Sequence, residues 1–340
     1  MHLAKRVRFS HIARMSLRAV DLFCGAGGSS VGARSAGVEI VAAVDAWDLA
    51  ATTFQHNFPR AHVINDVLSD RSRPPAIVRD TRIDLLLASP ECTDHSVAKG
   101  NRPRDEESLR SAQFVLGYVK ALKPRWLVIE NVIQMRRWVG YEEFAGNLHR
   151  QGYHLTPQVL DAADFGVPQT RRRLFILGDR ERIPSEVVPP RRGGQRSARS
   201  AVSVATDRWP AKPLYSPKRA AGTIARAERA MSALGRGVPF LIVYYGSDGA
   251  GGWQSLDRPL RTLTTLDRFG LVTWEGETPM LRMLQVDELK KGMDFPKEFE
   301  LPSGSRRERI MMLGNAVCPP VMEAVVESLC AERLSAKAAA

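Results

Sequence analysis

Apolar positions along the chain gather into short runs broken by polar turns, and two spacings alternate. Leu17 to Phe23, Val38 to Val44, His62 to Asn65, Asp84 to Ala88 and Pro124 to Val132 have the length and side-chain types of strands. Between them, Val31 to Ala36 forms a helical stretch closed by Gly37. Ser108 to Leu122 carries Phe114, Val115, Tyr118, Val119 and Leu122 at helical spacing. Tyr141 to Arg150 places Phe144 and Leu148 on one face of a short helix. Strand and helix in alternation predict an α/β fold around a mostly parallel sheet.

Such sheets collect reactive groups at the carboxyl ends of their strands. The first strand runs into Cys24-Gly25-Ala26-Gly27-Gly28-Ser29-Ser30 and then a helix, a glycine turn that lets a ligand approach the backbone. The second ends at Asp45, twenty residues after Gly25, placed to accept hydrogen bonds from ribose hydroxyls, and the third runs out at Asp66. Ser30 stands where a dinucleotide fingerprint has its third glycine, which favours a mononucleoside-type cofactor. Trp47 has the ring to stack on a purine, although an aromatic helix residue is more often core. The fourth strand ends in Ser89-Pro90-Glu91-Cys92, where a thiol is either an exposed nucleophile or a small buried apolar residue. The fifth ends at Glu130.

Thr93 to Glu107 reads as a polar loop. Arg171 and Arg173, flanking Arg172 before the strand Leu174 to Leu177, fall on one face by alternation and suit an acceptor-rich base or a phosphate. Beyond Ile183 the pattern weakens. Pro189 to Ser200 is a basic linker suited either to phosphate contact or to plain solvation. Short β-like pieces such as Phe240 to Tyr245 follow, with a turn at Ser247 to Gly249. Order returns with Arg258 to Thr265 and a strand near Leu271 to Trp274; Leu281 to Leu289 has a helical look, and Gly314 to Pro320 leads a final helix expected to reach about Leu334.

Composition sharpens the partner. The 340 residues carry a formal net charge of +12, which points to a polyanion such as nucleic acid. The 4 cysteines are far apart, with neither disulfide-framework nor metal-ligand spacing, which suits a reducing cytoplasm. No metal site and no membrane span is expected. Residues 1–14 are basic and precede Met15, and read as an N-terminal extension.

Taken in order, Asp21-Leu22-Phe23-Cys24-Gly25-Ala26-Gly27-Gly28, Ser89-Pro90-Glu91-Cys92, Glu130-Asn131-Val132, Gln169-x-Arg171-x-Arg173, Arg258-Pro259 with Thr264-Thr265, and Gly314-Asn315-Ala316-Val317 resemble the C5-cytosine DNA methyltransferase family over about residues 17–333. The resemblance implies a Rossmann-like catalytic domain dependent on S-adenosylmethionine, with a small target-recognition domain inserted in it. It places the catalytic domain at 15–180, the small domain at 181–300 including the linker 189–200, and a return to the catalytic domain at 301–340. It further implies double-stranded DNA as substrate and a cytosine flipped from the duplex; a monomer is expected, and the sequence leaves open whether a cognate restriction endonuclease accompanies it or it acts as an orphan enzyme. Under it Cys92 attacks C6, Glu130 neutralises charge at N3, and Arg171 and Arg173 hold the base. Phe23, Gly25, Gly27, Asp45, Asp66, Pro90, Asn315 and Val317 would bind the cofactor, with Asp45 on the ribose and Asp66 on the adenine amine. Ser96, Gln169, Arg191, Arg192 and Thr264 would contact DNA, and about residues 185–255 would choose the site.

The nucleophile motif departs from the family's Pro-Pro-Cys-Gln: Glu91 replaces a proline, Thr93 a glutamine, and His95 the usual phenylalanine. Glu91 either raises the thiol pKa or turns away to pair with an arginine. An RNA methyltransferase of the same family, a silent DNA-binding relative and a nicotinamide oxidoreductase are the competing readings. Cys92 and Glu130 together count against the silent relative, and Ser30 against the oxidoreductase.

Overall fold

Residues whose apolar side chains alternate between two covered faces build the centre of the molecule. The computed structural model describes residues 17–90, 106–190, 194–205, 208–246 and 251–338. Its first half reads β1 (Arg18–Leu22), α1 (Gly28–Ser35), β2 (Glu39–Asp45), α2 (Asp48–Asn57), β3 (His62–Asn65), α3 (Ala76–Arg79), β4 (Leu85–Ala88), α4 (Glu106–Leu122), β5 (Trp126–Asn131), α5 (Tyr141–Arg150), β6 (His154–Asp161) and β7 (Arg172–Asp179). These strands form one sheet in the order β3-β2-β1-β4-β5-β7-β6, parallel from β3 to β5. β7 runs antiparallel to β5 and to β6. The strand order therefore reverses between β1 and β4, and the carboxyl ends of β1 to β5 share an edge with the start of β7.

Alternation sorts this core cleanly. Val20, Leu22, Leu86, Leu127 and Ile129 point to the face covered by Val115, Val119, Phe144 and Leu148 of α4 and α5. Ala19, Leu85, Leu87 and Val128 point to the other face. That second face meets the chain's later elements: β8 (Lys212–Pro213), α6 (Ala221–Leu234), β9 (Phe240–Val243), β10 (Trp253–Ser255), β11 (Phe269–Glu275), β12 (Thr278–Met283), α7 (Val286–Gly292), α8 (Arg306–Asn315), α9 (Pro319–Leu329) and α10 (Ala331–Ala338). The strands among them make an antiparallel sheet in the order β10-β9-β11-β12-β8. One of its faces joins the core of the large sheet through Leu241, Val243 and Leu271. The opposite face, with Phe240, Ile242 and Val272, is covered by Ala227, Ala230 and Met231 of α6.

After Met283 the chain returns to the large sheet. Helix α9 lies against α1 at a distance only glycine permits: a Cβ on Gly28 would sit 2.3 Å from the Val317 carbonyl oxygen, and one on Gly32 2.4 Å from that of Pro319. Ser30, where a third glycine would stand, instead donates its hydroxyl to Asp21 Oδ2 at 2.7 Å.

Three expectations need correction. Leu281 lies in β12, not in a helix, because Thr278 to Met283 pairs with β11; the helix begins only at Val286. The final helix expected after the Gly314 to Pro320 motif is two helices, α9 and α10, parted at Cys330; α8 precedes them, separated from α9 by extended Ala316 (ψ 151°). Helix α6 stands where only β-like pieces were expected, since Thr223, Ala227 and Ala230 make most of its buried face and Met231 is the single large apolar residue buried on it. Arg306–Leu329 together have the length and hydropathy of a membrane span, but the stretch is divided at Ala316 and 67% of its apolar window is buried inside the molecule, as in core helices.

Candidate active site

Two groups of side chains occupy the shared edge. The first surrounds the glycine turn after β1. Gly25 (φ 51°) and Gly27 (φ 100°) take left-handed conformations, and Phe23 does so as well (φ 55°), a cost of order 1 kcal/mol for a non-glycine residue. Asp45 pins this turn: its Oδ2 accepts the Gly25 N–H at 2.7 Å and its Oδ1 the Trp47 N–H at 2.9 Å. Burial raises the Asp45 pKa, and those two N–H bonds oppose the rise. Asp66 lies exposed at the end of β3 and accepts the Val67 N–H at 2.8 Å. Behind the turn Asp21 is fully buried; the Ser30 hydroxyl donates to Oδ2 at 2.7 Å, while Oδ1 has no partner. Burial pushes its pKa up to about 7.

These residues fit S-adenosylmethionine. Beyond Gly25 the space is open, with no atom within 4 Å of a would-be Cβ, so a ligand can reach the backbone there. Carboxylates at the ends of β2 and β3 supply acceptors for hydroxyl and amine groups. The C-terminal segment closes the turn with the Val317 backbone, whereas Asn315 is exposed at the end of α8.

The second group lies across the reversal point. Glu130 is buried near the end of β5, and Arg173 Nε stands 3.4 Å from its Oε1. Burial raises the Glu130 pKa; Arg173 and then Arg171 counter it. A small cavity brings Glu130, Arg171, Arg173 and Phe175 together with Val317 and Cys318 of the returning segment. The neighbouring Asn131 donates from Nδ2 to the Pro90 carbonyl at 3.1 Å and accepts the Val132 N–H at 2.8 Å. Asn131 therefore ties the end of β4 to the end of β5, a role the sequence reading did not assign. Cys318, also unassigned, is buried against this group, and burial raises its pKa to about 12.

Two expected roles change. Arg171, which lines the cavity beside Glu130, also braces the main chain: Nη1 donates to Leu263 O at 3.0 Å, and Nη2 to Gly314 O at 2.8 Å and Ala316 O at 3.0 Å. It fastens the start of β7 to the small-sheet region and to the C-terminal segment. Gln169 is not on a DNA face but fully buried, donating to Gly292 O at 3.0 Å and accepting the Leu263 N–H at 2.8 Å. Thr264 is half-buried, its backbone packed against Gly314. Cys92, Ser96, Arg191 and Arg192 lie outside the described residues, and Pro90 is the last described residue before Cys92.

A glycine turn pinned by an acid, a second acid on the next strand and a buried glutamate–arginine pair past the reversal point agree with what comparison finds. The family model of C-5 cytosine-specific DNA methylases matches residues 17–331. The chain belongs to that family. It is accordingly a cytosine-5 methyltransferase with S-adenosylmethionine as methyl donor. Among relatives of this methylase, Type II methyltransferase M.HgiDI of Herpetosiphon aurantiacus is 30% identical over 313 residues, 88% of this chain and 90% of that one. Type II methyltransferase M.XorII of Xanthomonas oryzae is 33% identical over 181 residues, covering 50% of this chain and 42% of that one. The fold is shared with a putative DNA modification methyltransferase from an E. coli prophage (TM-score 0.67, 20% identity, 92% of this chain and 98% of that one). A DNMT2 mutant of Spodoptera frugiperda has it too (TM-score 0.68, 18% identity, 92% and 99%).

Proposed function

We propose that the enzyme methylates C5 of a cytosine flipped out of double-stranded DNA, through a transient bond between Cys92 and C6. The observation that carries this reading is the buried Glu130 beside Arg173 at the end of β5, joined through Asn131 to the chain that leads to Cys92. C5 is a poor nucleophile until C6 is saturated, so the thiolate adds to C6 and the displaced ring electrons move toward C5. Glu130, whose pKa burial raises, holds a proton at N3 and offsets the charge that develops there. Arg173 keeps that carboxyl oriented. S-adenosylmethionine, when bound against Phe23, Gly25, Gly27, Asp45, Asp66 and Val317, supplies an electrophilic methyl group. Loss of the C5 proton then expels the Cys92 sulfur and restores the aromatic ring.

The small sheet and its flanking segments, about residues 185–283, select the DNA sequence; the enzyme acts as a monomer, alongside a restriction endonuclease of the same specificity. The kinship to Type II methyltransferases supports this assignment. The test is transfer of label from the cofactor to duplex DNA and to RNA by wild type and Cys92→Ser. Label in DNA with wild type only is the expected result. Transfer by Cys92→Ser near the wild-type rate, or to RNA alone, refutes the reading.

A further inference from the structure

Immediately beyond Glu130 and Asn131 the chain makes a 3-10 turn, Ile133–Arg137, and then passes through Trp138 and Val139 into α5. This turn is held firmly. Met135 is fully buried and its N–H donates to Val132 O at 3.0 Å; Trp138 N–H donates to Met135 O, and Tyr141 N–H to Trp138 O, each at 3.0 Å. The Trp138 ring lies so close over Gly140 that a Cβ there would come within 2.4 Å of it. Residues on both sides of Val139 are thus pinned, and Val139 itself is 99% exposed. Arg136 and Arg137 are exposed beside it, and among the described residues neither forms an ion pair with a carboxylate. Glu142 and Glu143 follow in the first turn of α5, where they complement the helix dipole.

A rigid turn that holds an aliphatic side chain wholly in water between exposed cations has no evident use within the fold. Its position gives it one: it leaves the sheet edge directly after the acid of the active site, on the side of β5 away from the cofactor turn. We propose that Arg136, Arg137 and Val139 form a duplex-contacting element next to the target base, the arginines on backbone phosphates and Val139 against the apolar sugar surface. The proposal rests on double-stranded DNA being the substrate. Charge complementarity between this tip, in a chain of net charge +12, and a polyanion selects that occupant over a protein.

Each phosphate contact releases counterions, so the salt dependence of binding counts such contacts. Duplex affinity of the full-length protein would be measured across a salt series for wild type, Arg136→Ala/Arg137→Ala and Val139→Ser. Cofactor affinity, thermal midpoint and sedimentation would be recorded for each. The double variant is expected to flatten the slope of log K against log salt by about 1.8 and to weaken binding roughly tenfold or more near physiological salt. Val139→Ser is expected to weaken duplex binding several-fold with the slope unchanged. Cofactor affinity should not move in either. Wild type that binds and methylates duplex DNA, with a slope unaltered in the double variant, overturns this inference alone. Wild type that neither binds nor methylates duplex DNA overturns it together with the substrate assignment. A change from dimer to monomer in Val139→Ser assigns the tip to a second copy of the chain and overturns it too.

Discussion

The two halves of the active-site edge handle buried charge in opposite ways. Around the glycine turn, fully buried Asp21 and half-buried Asp45 have only a hydroxyl and backbone N–H groups as donors, and burial pushes both toward the neutral acid. Past the reversal point, the single buried carboxyl of Glu130 has two arginines near it. The first half holds its carboxyls with neutral hydrogen-bond donors; the second sets its carboxyl against cationic side chains. One edge thereby holds two sites for chemically different groups, with the β1/β4 reversal as their border.

The largest effect should come from breaking the balanced half. Glu130→Gln keeps shape but removes the group that holds the proton, and methyl transfer should fall roughly 10²–10³-fold in kcat. Cofactor affinity, measured by calorimetry, should stay near wild type. A loss of cofactor binding equal to the loss of rate would show that the two halves are not separate.

The unbalanced half makes a pH signature. Asp21 keeps its proton up to about pH 7 in the fold but would release it near 3.8 in the unfolded chain. Above that lower value the unfolded state gains by ionising and the folded state does not. Stability therefore falls as pH rises from about 4 to 7, by at most about 1.4 kcal/mol per unit, and then levels off. Asp21→Asn should remove that decline, so the variant gains on wild type by about 3 kcal/mol between pH 5 and pH 8 in urea denaturation. Parallel curves for the two proteins would mean that Asp21 is already ionised in the fold.

Between the halves sit the braces. Gln169→Ala leaves the Gly292 carbonyl and the Leu263 N–H without their partner in a buried place, which should cost about 2 kcal/mol by chemical denaturation. Salt-dependent DNA affinity should change little if the residue only braces. A reduced salt slope would return Gln169 to the DNA face.

How far these features could be read beforehand depends on how local their causes are. The alternation that sets β1 to β5, the glycine turn and the acids that end β2, β3 and β5 are written within a few residues each, and the sheet edge follows from them. Arg171 and Gln169 share a motif with Arg173, yet their work is done by main-chain groups more than 90 residues away, at Leu263 and beyond, which no local pattern encodes. Helix α6 escaped because alanines at 227 and 230 bury a face without raising an apolar signal. The packing of Gly28 and Gly32 on the C-terminal segment went unread, because the backbone they meet at Val317 and Pro319 lies nearly 290 residues further along the chain.

The smallest effect tests the hinge of the comparison, Asp45. Its carboxylate fixes the turn through Gly25 and Trp47, and its burial leaves little water to replace a lost bond. In Asp45→Asn one oxygen becomes an amide that cannot accept, so one of the two N–H groups faces a donor and the turn loosens locally. If Asp45 holds the cofactor's ribose as proposed, a hydroxyl loses a charged acceptor at the same time, and charged hydrogen bonds contribute about 1.5–3 kcal/mol. Part of that is recovered by the remaining carbonyl oxygen, so KM for the cofactor should rise about tenfold, equivalent to about 1.4 kcal/mol. The Glu130 half is untouched, and kcat at saturating cofactor should stay within about twofold of wild type. Steady-state kinetics over a cofactor series separates the outcomes: a kcat that falls as far as KM rises would tie Asp45 to the chemistry and erase the border drawn at the β1/β4 reversal.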